Sequence, residues 1–313
     1  MINRTLIRLK VVQLLYASLI SREDINEVSR LQARKSLDKA LAKAYELYAS
    51  LLELPVELTR LRDRQLDEGR HKYLPTADDL NPKTNFIDNK FVELVRKSRE
   101  MEAYKKENPF DWDTDQTFLR KLLDEIMSSD IYREYMTLEK PSFKEDCEFW
   151  RKLFKDVIFT SDTLAENLEN NSVYWNDDLR IMGTFVIKTI KSISNEKSQP
   201  ELKLLPVYKD EEDKEFGPAL FMNALENRDK YRGYIDGYVK KTWDPERLAF
   251  MDVIIMIAAI AELIKFPQIP LPVTMNEYTE IAADYSGSKS SQFVNGLLFS
   301  VAEKLKQEKI ILK

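Results

Sequence analysis

Glycine is scarce in this chain: seven glycines and twelve prolines stand among 313 residues. A fold of many short strands and tight turns needs more residues that tolerate positive φ or pre-set a bend. The scarcity therefore leaves helices as the main building material, and the apolar spacing agrees. Leu6, Leu9, Val12, Tyr16 and Leu19 recur at three- and four-residue intervals within residues 3–20. Ile7, Val11, Leu14 and Leu15 cover much of the remaining circumference, as in a helix enclosed by others. Asn3, Arg4, Arg8 and Lys10 crowd its first turns, which predicts a basic N-terminal end near solvent.

The rest of the chain reads the same way. Helical spacing covers 29–69, with Pro55 marking a kink or break. His71–Asn85, with two prolines, reads as a loop, and helices follow at 87–107, 113–135, 142–158, 161–171 and 175–194. Asn195–Asp213 reads as a linker, after which helices resume near 216–226, 228–242, 245–265, 272–284 and 290–309. Leu202–Tyr208 is the only short strand candidate. The fold class expected is all-α.

Composition narrows the chemistry. The single Cys147 excludes an internal disulfide and an all-cysteine zinc site, and the single His71 excludes paired-histidine metal sites. No glycine-rich phosphate loop or dinucleotide fingerprint is present. The expectation is a protein without catalytic residues, metal or cofactor. The longest apolar run, Val253–Ala261, is nine residues, too short to span a bilayer, and no secretory signal opens the sequence. A soluble, cytoplasmic protein with no membrane partner is expected.

The net charge is −5, but it is unevenly spread. Residues 1–45 hold nine Lys/Arg against four Asp/Glu, residues 286–313 hold five Lys against two Glu, and the middle carries −13. If the two ends meet, they form a basic patch suited to a polyanion. Solvated helix ends would give the same distribution.

Two C-terminal segments stand out. Trp243-Asp244-Pro245-Glu246-Arg247 reads as a helix start, with Asp244 as N-cap and Pro245 at the first helical position. Leu248, Met251 and Ile255 lie on its core face, with Asp252 turned away from it. Gly287–Gly296 opens the last helix, with Ser288 or Ser290 as cap. The free N–H groups of its first turn, with Lys289, can seat a phosphate oxygen, and Phe293 can stack on an unpaired base. An ordinary capped helix with a core Phe and a solvated Lys fits the same residues. Gly296, inside the helix, suggests close approach by another backbone.

Taken in order, IRLKVVQLLYAS, WDPERLAFMDVIIMIAAIAEL, IPLPVTMNEYTEIA and SSQFVNGLL resemble the bacterial transcription antitermination factor NusB family, over about residues 1–21 and 216–305. The resemblance implies two packed helical bundles of NusB type. It implies binding of a boxA-type single-stranded RNA together with NusE, the small-subunit ribosomal protein in its transcription role. It also implies membership of the RNA polymerase antitermination complex, in support of ribosomal RNA synthesis and without catalysis.

Carried over residue by residue, the resemblance places Arg4, Arg8 and Lys10 on the family's arginine-rich N-terminus, as phosphate contacts. Lys289, Ser290, Phe293 and Asn295 fall on the RNA-facing start of the last helix. Tyr16, Glu246 and Asp252 fall on positions that face the protein partner. Lys289 stands where an acidic residue is common, and Met256-Ile257 stands in place of an Ile-Leu-Arg triplet. The family's usual length is about half of this chain. Residues 1–215 are thus expected to hold the first helix and a large helical insertion, and 216–313 the remaining NusB-like helices. The alternative is a non-enzymatic helical scaffold acting only through protein partners. An RNA methyltransferase with a NusB-like domain would need a following cofactor domain, whereas the NusB-like block here runs to the last residues given.

Overall fold

The computed structural model describes residues 2–20, 27–175, 177–195, 200–239 and 248–312. Among them the chain forms fifteen α-helices, one 3-10 turn and no β-strand. The first half holds α1 (Arg4–Ile20), α2 (Glu27–Arg70), α3 (Ala77–Leu80), α4 (Lys90–Arg96), α5 (Arg99–Glu107), α6 (Gln116–Ser128) and α7 (Asp130–Tyr135). Then come α8 (Phe143–Asp156), the 3-10 turn Ile158–Thr160, α9 (Asp162–Asn171) and α10 (Leu179–Ser194). The last part holds α11 (Glu211–Glu226), α12 (Arg228–Val239), α13 (Phe250–Lys265), α14 (Leu271–Ser286) and α15 (Ser288–Gln307).

Several boundaries depart from the sequence reading, each for a local reason. Pro55 does not break α2. Leu47–Glu57 around it are all buried, and burial of that mainly apolar stretch offsets the ~3 kcal/mol that an interior proline costs. The helix expected at 87–107 divides at Ser98, whose hydroxyl accepts the Met101 N–H at 3.2 Å. The one expected at 113–135 divides at Ser129, which accepts from the Tyr132 N–H at 3.2 Å. Serine competes with the helical ladder through such bonds. Leu202–Tyr208 forms no strand; Tyr45 donates to the Leu205 carbonyl at 2.6 Å and Tyr48 accepts the Leu205 N–H at 3.2 Å. The Asn195–Asp213 linker ends early, because Asp210 caps α11 by accepting the Asp213 N–H at 2.9 Å. The expected N-cap Asp244 and first helical residue Pro245 lie outside the described residues.

The chain divides into two compact units, Ala42–Val207 and Ile2–Leu41 with Tyr208–Lys313. This division runs at different positions from the 215/216 boundary expected above. In the first unit, α8 packs against α10, α7 and α4. Its start carries a capping box, Ser142 with Glu145. Its core is aromatic: Phe86, Tyr135, Phe149 and Trp150 are buried, with the Tyr135 and Phe149 rings stacked at 3.9 Å. Gly183 of α10 lets Phe159 approach, since a Cβ there would lie 2.9 Å from its ring.

In the second unit α13 is the centre. All residues from Asp252 to Leu263 are buried, and α1, α11, α12, α14 and α15 each pack on it. A helix apolar all round is buried all round. α1 packs against α11 and α13, and the close approach rests on Gly217, where a Cβ would lie 2.9 Å from Ile7 Cγ2. α14 and α15 form a hairpin joined at Gly287, whose φ of 83° lies in the region that favours glycine. The first helix and the last two therefore belong to one unit, but the close approach expected at Gly296 is not there: a Cβ added at Gly296 would meet nothing within 4 Å.

Candidate functional site

The basic N-terminal end expected near solvent is largely turned inward. Asn3 caps α1 by accepting the Leu6 N–H at 2.9 Å. One turn on, Arg8 is buried, and its guanidinium donates from Nε to Glu262 Oε2 at 2.7 Å and from Nη2 to Glu262 Oε1 at 3.0 Å. Its Nη1 lies 3.3 Å from Glu277 Oε2 on α14. Glu262 also accepts from Thr274 at 2.8 Å and from Tyr278 at 3.2 Å. Burial opposes the Arg8 charge, but the hydrogen bonds and charge of Glu262 outweigh it and hold the guanidinium pKa above its ordinary value. Burial, with Glu262 next, pushes the Tyr278 hydroxyl far above its own. Arg8 thus ties α1 to α13 and α14, and Lys10, 1% exposed, is buried with it.

Arg4 is the half-buried member of the trio. It donates to Asp213 at 2.7 Å and to Glu212 at 2.9 Å, both in the acidic first turn of α11. Its guanidinium lies 5.1 Å from the Phe216 ring centre, and that of Arg8 lies 5.4 Å from it. On α2, Arg34 faces Glu215 of α11 at 3.7 Å. The N-terminal positive charge therefore meets acids from the start of α11, which the sum over residues 1–45 could not reveal.

The start of α15 is different. Its N-cap is Gly287, so neither Ser288 nor Ser290 caps it, and no side chain closes the first turn. Lys289 is exposed, in the position where the helix dipole adds to its own charge. Asn295, also exposed, accepts from Thr279 of α14 at 3.3 Å, and Phe293 is half-buried. Ser290 is not free: its hydroxyl donates to Asp252 on α13. The exposed stripe of α15 continues through Gln292, Gly296 and Phe299, the last 57% exposed. Phe299 was not singled out in the sequence, although it follows Asn295 by one helical turn.

On the side expected to face a protein partner, Asp252 is not turned outward but 4% exposed, with its Oδ1 lacking a hydrogen-bond partner. Its position in the first turn of α13 points it toward the α15 start through Ser290. Glu246 lies outside the described residues. Tyr16 is half-buried, its ring 5.4 Å from that of Phe250, which is itself exposed. Phe250 extends the Tyr16 surface; in the sequence it stands beside Met251 at the start of an apolar helix and reads as one more core residue. Among the described residues no group of three or more His, Cys, Asp or Glu side chains is placed to hold a metal ion, and no helix is long and apolar enough to cross a membrane.

Comparison with known proteins matches residues 178–303, from the start of α10 to near the end of α15, to the NusB family. A transcription antitermination protein NusB of Koribacter versatilis is 38% identical over 100 residues, covering 32% of this chain and 68% of its own length. The chain belongs to the NusB family. Another NusB, of Methylacidiphilum infernorum, is 39% identical over 92 residues, 29% of this chain and 64% of the relative. One of Bacillus pumilus is 28% identical over 122 residues, 39% of this chain and 92% of the relative. No solved structure matches the chain. The NusB match opens earlier than residue 216, where the second stretch of the resemblance starts, and does not include α1, which its first stretch, residues 1–21, covers. It takes in Glu262, Asp252 and the whole exposed start of α15.

Proposed function

We propose that this chain is a transcription antitermination factor that binds a boxA-type single-stranded RNA together with NusE, within the RNA polymerase antitermination complex, and so supports ribosomal RNA transcription. It acts by binding, with no catalytic step. The observation that carries this reading is that the residues related to antitermination proteins include the uncapped start of α15, with Lys289 exposed beside it. Free N–H groups and a lysine suit a phosphate oxygen, and Asn295 with Phe293 one to two turns on suits an unstacked base. Arg4 contributes once its carboxylate partners release it, whereas Arg8 and Lys10 serve by fixing α1 in place. NusE docks over Tyr16 and Phe250, Glu246 contributes an acidic side chain to the same partner, and Asp252 supports that side by holding Ser290.

A second reading, a helical scaffold acting only through proteins, is favoured by the inward turn of Arg8 and Lys10 and the pairing of Arg4. Titrating binding of boxA RNA against salt, with and without NusE, separates the two. Phosphate contacts make the logarithm of affinity fall linearly with the logarithm of salt. Absence of specific RNA affinity at every salt concentration supports the scaffold.

A further inference from the structure

We propose that the first unit carries a site for an organic cation, the guanidinium or ammonium of a basic peptide or a polyamine, in a cleft lined by Phe110, Trp112, Trp175, Asp111, Asp115 and Glu46. The cleft holds about 200 Å³ of space open to water-sized spheres, smaller than the ~300–1,000 Å³ of a drug-sized ligand pocket and suited to a single cationic head group. Every residue lining it precedes residue 178, so the site lies outside the NusB match. It is independent of the RNA reading above.

The chemistry follows from the lining. Trp112 and Trp175 are buried, and each has its indole N–H fixed on a main-chain carbonyl, Ser50 and Lys43, at 2.8 Å. With the N–H groups satisfied, the rings offer π surface, and Phe110 adds a third ring nearer solvent. Aromatic rings attract cations through their quadrupoles. The Phe110 ring already does so with Lys105, whose ammonium lies 5.4 Å from its centre while paired with Glu53.

The charges agree. Among the described residues no Lys, Arg or His lines the cleft. Glu46 is matched by Lys43 at 2.7 Å, but Asp111 and Asp115 are not in an ion pair among the described residues. Their hydrogen-bond donors are neutral: the Asp113 N–H at 2.8 Å for Asp111, and for Asp115 the Phe118 N–H at 2.9 Å and the Asn167 amide at 3.0 Å. Two carboxylates without an ion pair among the described residues, two buried indoles and the more exposed Phe110 ring make a site that favours a cation and repels an anion such as RNA.

The test uses the full chain and its tryptophan fluorescence, titrated separately with a hexa-arginine peptide, with spermidine and with a hexa-glutamate peptide. A saturable change with peptide or spermidine, none with hexa-glutamate, and affinity weakened about tenfold in the Asp111→Asn/Asp115→Asn variant are expected. Response to the peptide alone assigns the site to a basic protein segment, and response to spermidine as well assigns it to organic cations in general. Phe110→Leu, which keeps apolar bulk but removes a ring from the rim, gives a second check should the double variant fold poorly. No saturable response to either cation, or unchanged affinity in both variants, overturns the proposal.

Discussion

Arg8 and Glu262 stand 254 positions apart and meet as a buried two-point ion pair, both side chains 3% exposed or less. The bond joins the first helix to the central helix of its unit. Removing one partner leaves the other charged in a dry site, which costs about 3–5 kcal/mol. Glu262→Ala should therefore destabilise the second unit by about that amount in urea unfolding, and Arg8→Met combined with Glu262→Leu should recover much of it. A cost below about 1 kcal/mol would mean the pair does not hold α1.

Arg4 is held by Glu212 and Asp213 on the exposed start of α11. The Glu212 arm is exposed and the Asp213 arm half-buried, so Glu212→Gln/Asp213→Asn, which keeps a neutral acceptor at each position, should cost about 1 kcal/mol. The double change frees the Arg4 guanidinium for the phosphate contact proposed above. RNA affinity should rise severalfold at low salt and converge with the parent at high salt, read from binding titrations at two ionic strengths.

Lys289 is exposed in the first turn of α15, and no side chain caps that turn. Lys289→Glu should weaken RNA binding by about 1 kcal/mol or more, through charge reversal beside the helix N-terminus. Circular dichroism should be unchanged. Equal affinity for RNA would remove Lys289 from the interface.

Gly296 lies in the exposed interior of α15 with open space around it. Gly296→Ala should stabilise the chain by up to about 1 kcal/mol, read from the shift in urea midpoint. If RNA or NusE approaches the α15 backbone there, the same change weakens that binding. Stabilisation with unaltered binding of both would place the interface elsewhere on the helix.

Burial, and then the charge of Asp146, pushes the Cys147 thiol up to about 12. The unfolded chain loses the thiol proton above about pH 8.5, while the native thiol keeps it. Native stability due to this group is thus complete below that pH and falls by about 1.4 kcal/mol per unit as the pH rises toward the folded value. Unfolding compared with Cys147→Ala across pH 8 to 10 isolates the effect. Alkylation of the native thiol near neutral pH should be slow, and fast once urea unfolds the chain.

The helical class was legible because it depends on short-range spacing: the three- and four-residue recurrence of Leu6, Leu9, Val12 and Tyr16 survives as α1, and the apolar run from Val253 as α13. The uncapped turn at Lys289 is half legible, since Gly287 and Lys289 lie two positions apart in sequence, while Ser288 and Ser290, which read as caps, are not used as such. Ser290 instead reaches Asp252, a choice that only the packing of α15 on α13 makes. Serine breaks at Ser98 and Ser129 were overlooked because a hydroxyl that caps and one that faces solvent look alike in a run of apolar residues.

By itself, the sequence determined the all-helical class, the shortage of metal and disulfide chemistry, and the motifs that place the C-terminal helices in a family. These depend on local geometry and on which side chains exist at all. Tertiary structure decided the fate of the charges. Arg8 and Lys10 look like surface cations in a linear reading, yet the fold brings Glu262 from α13 and Glu277 from α14 to Arg8, and the acids of α11 to Arg4. A charge is available to a ligand only after its partners within the molecule are known, and those partners lie more than two hundred residues away.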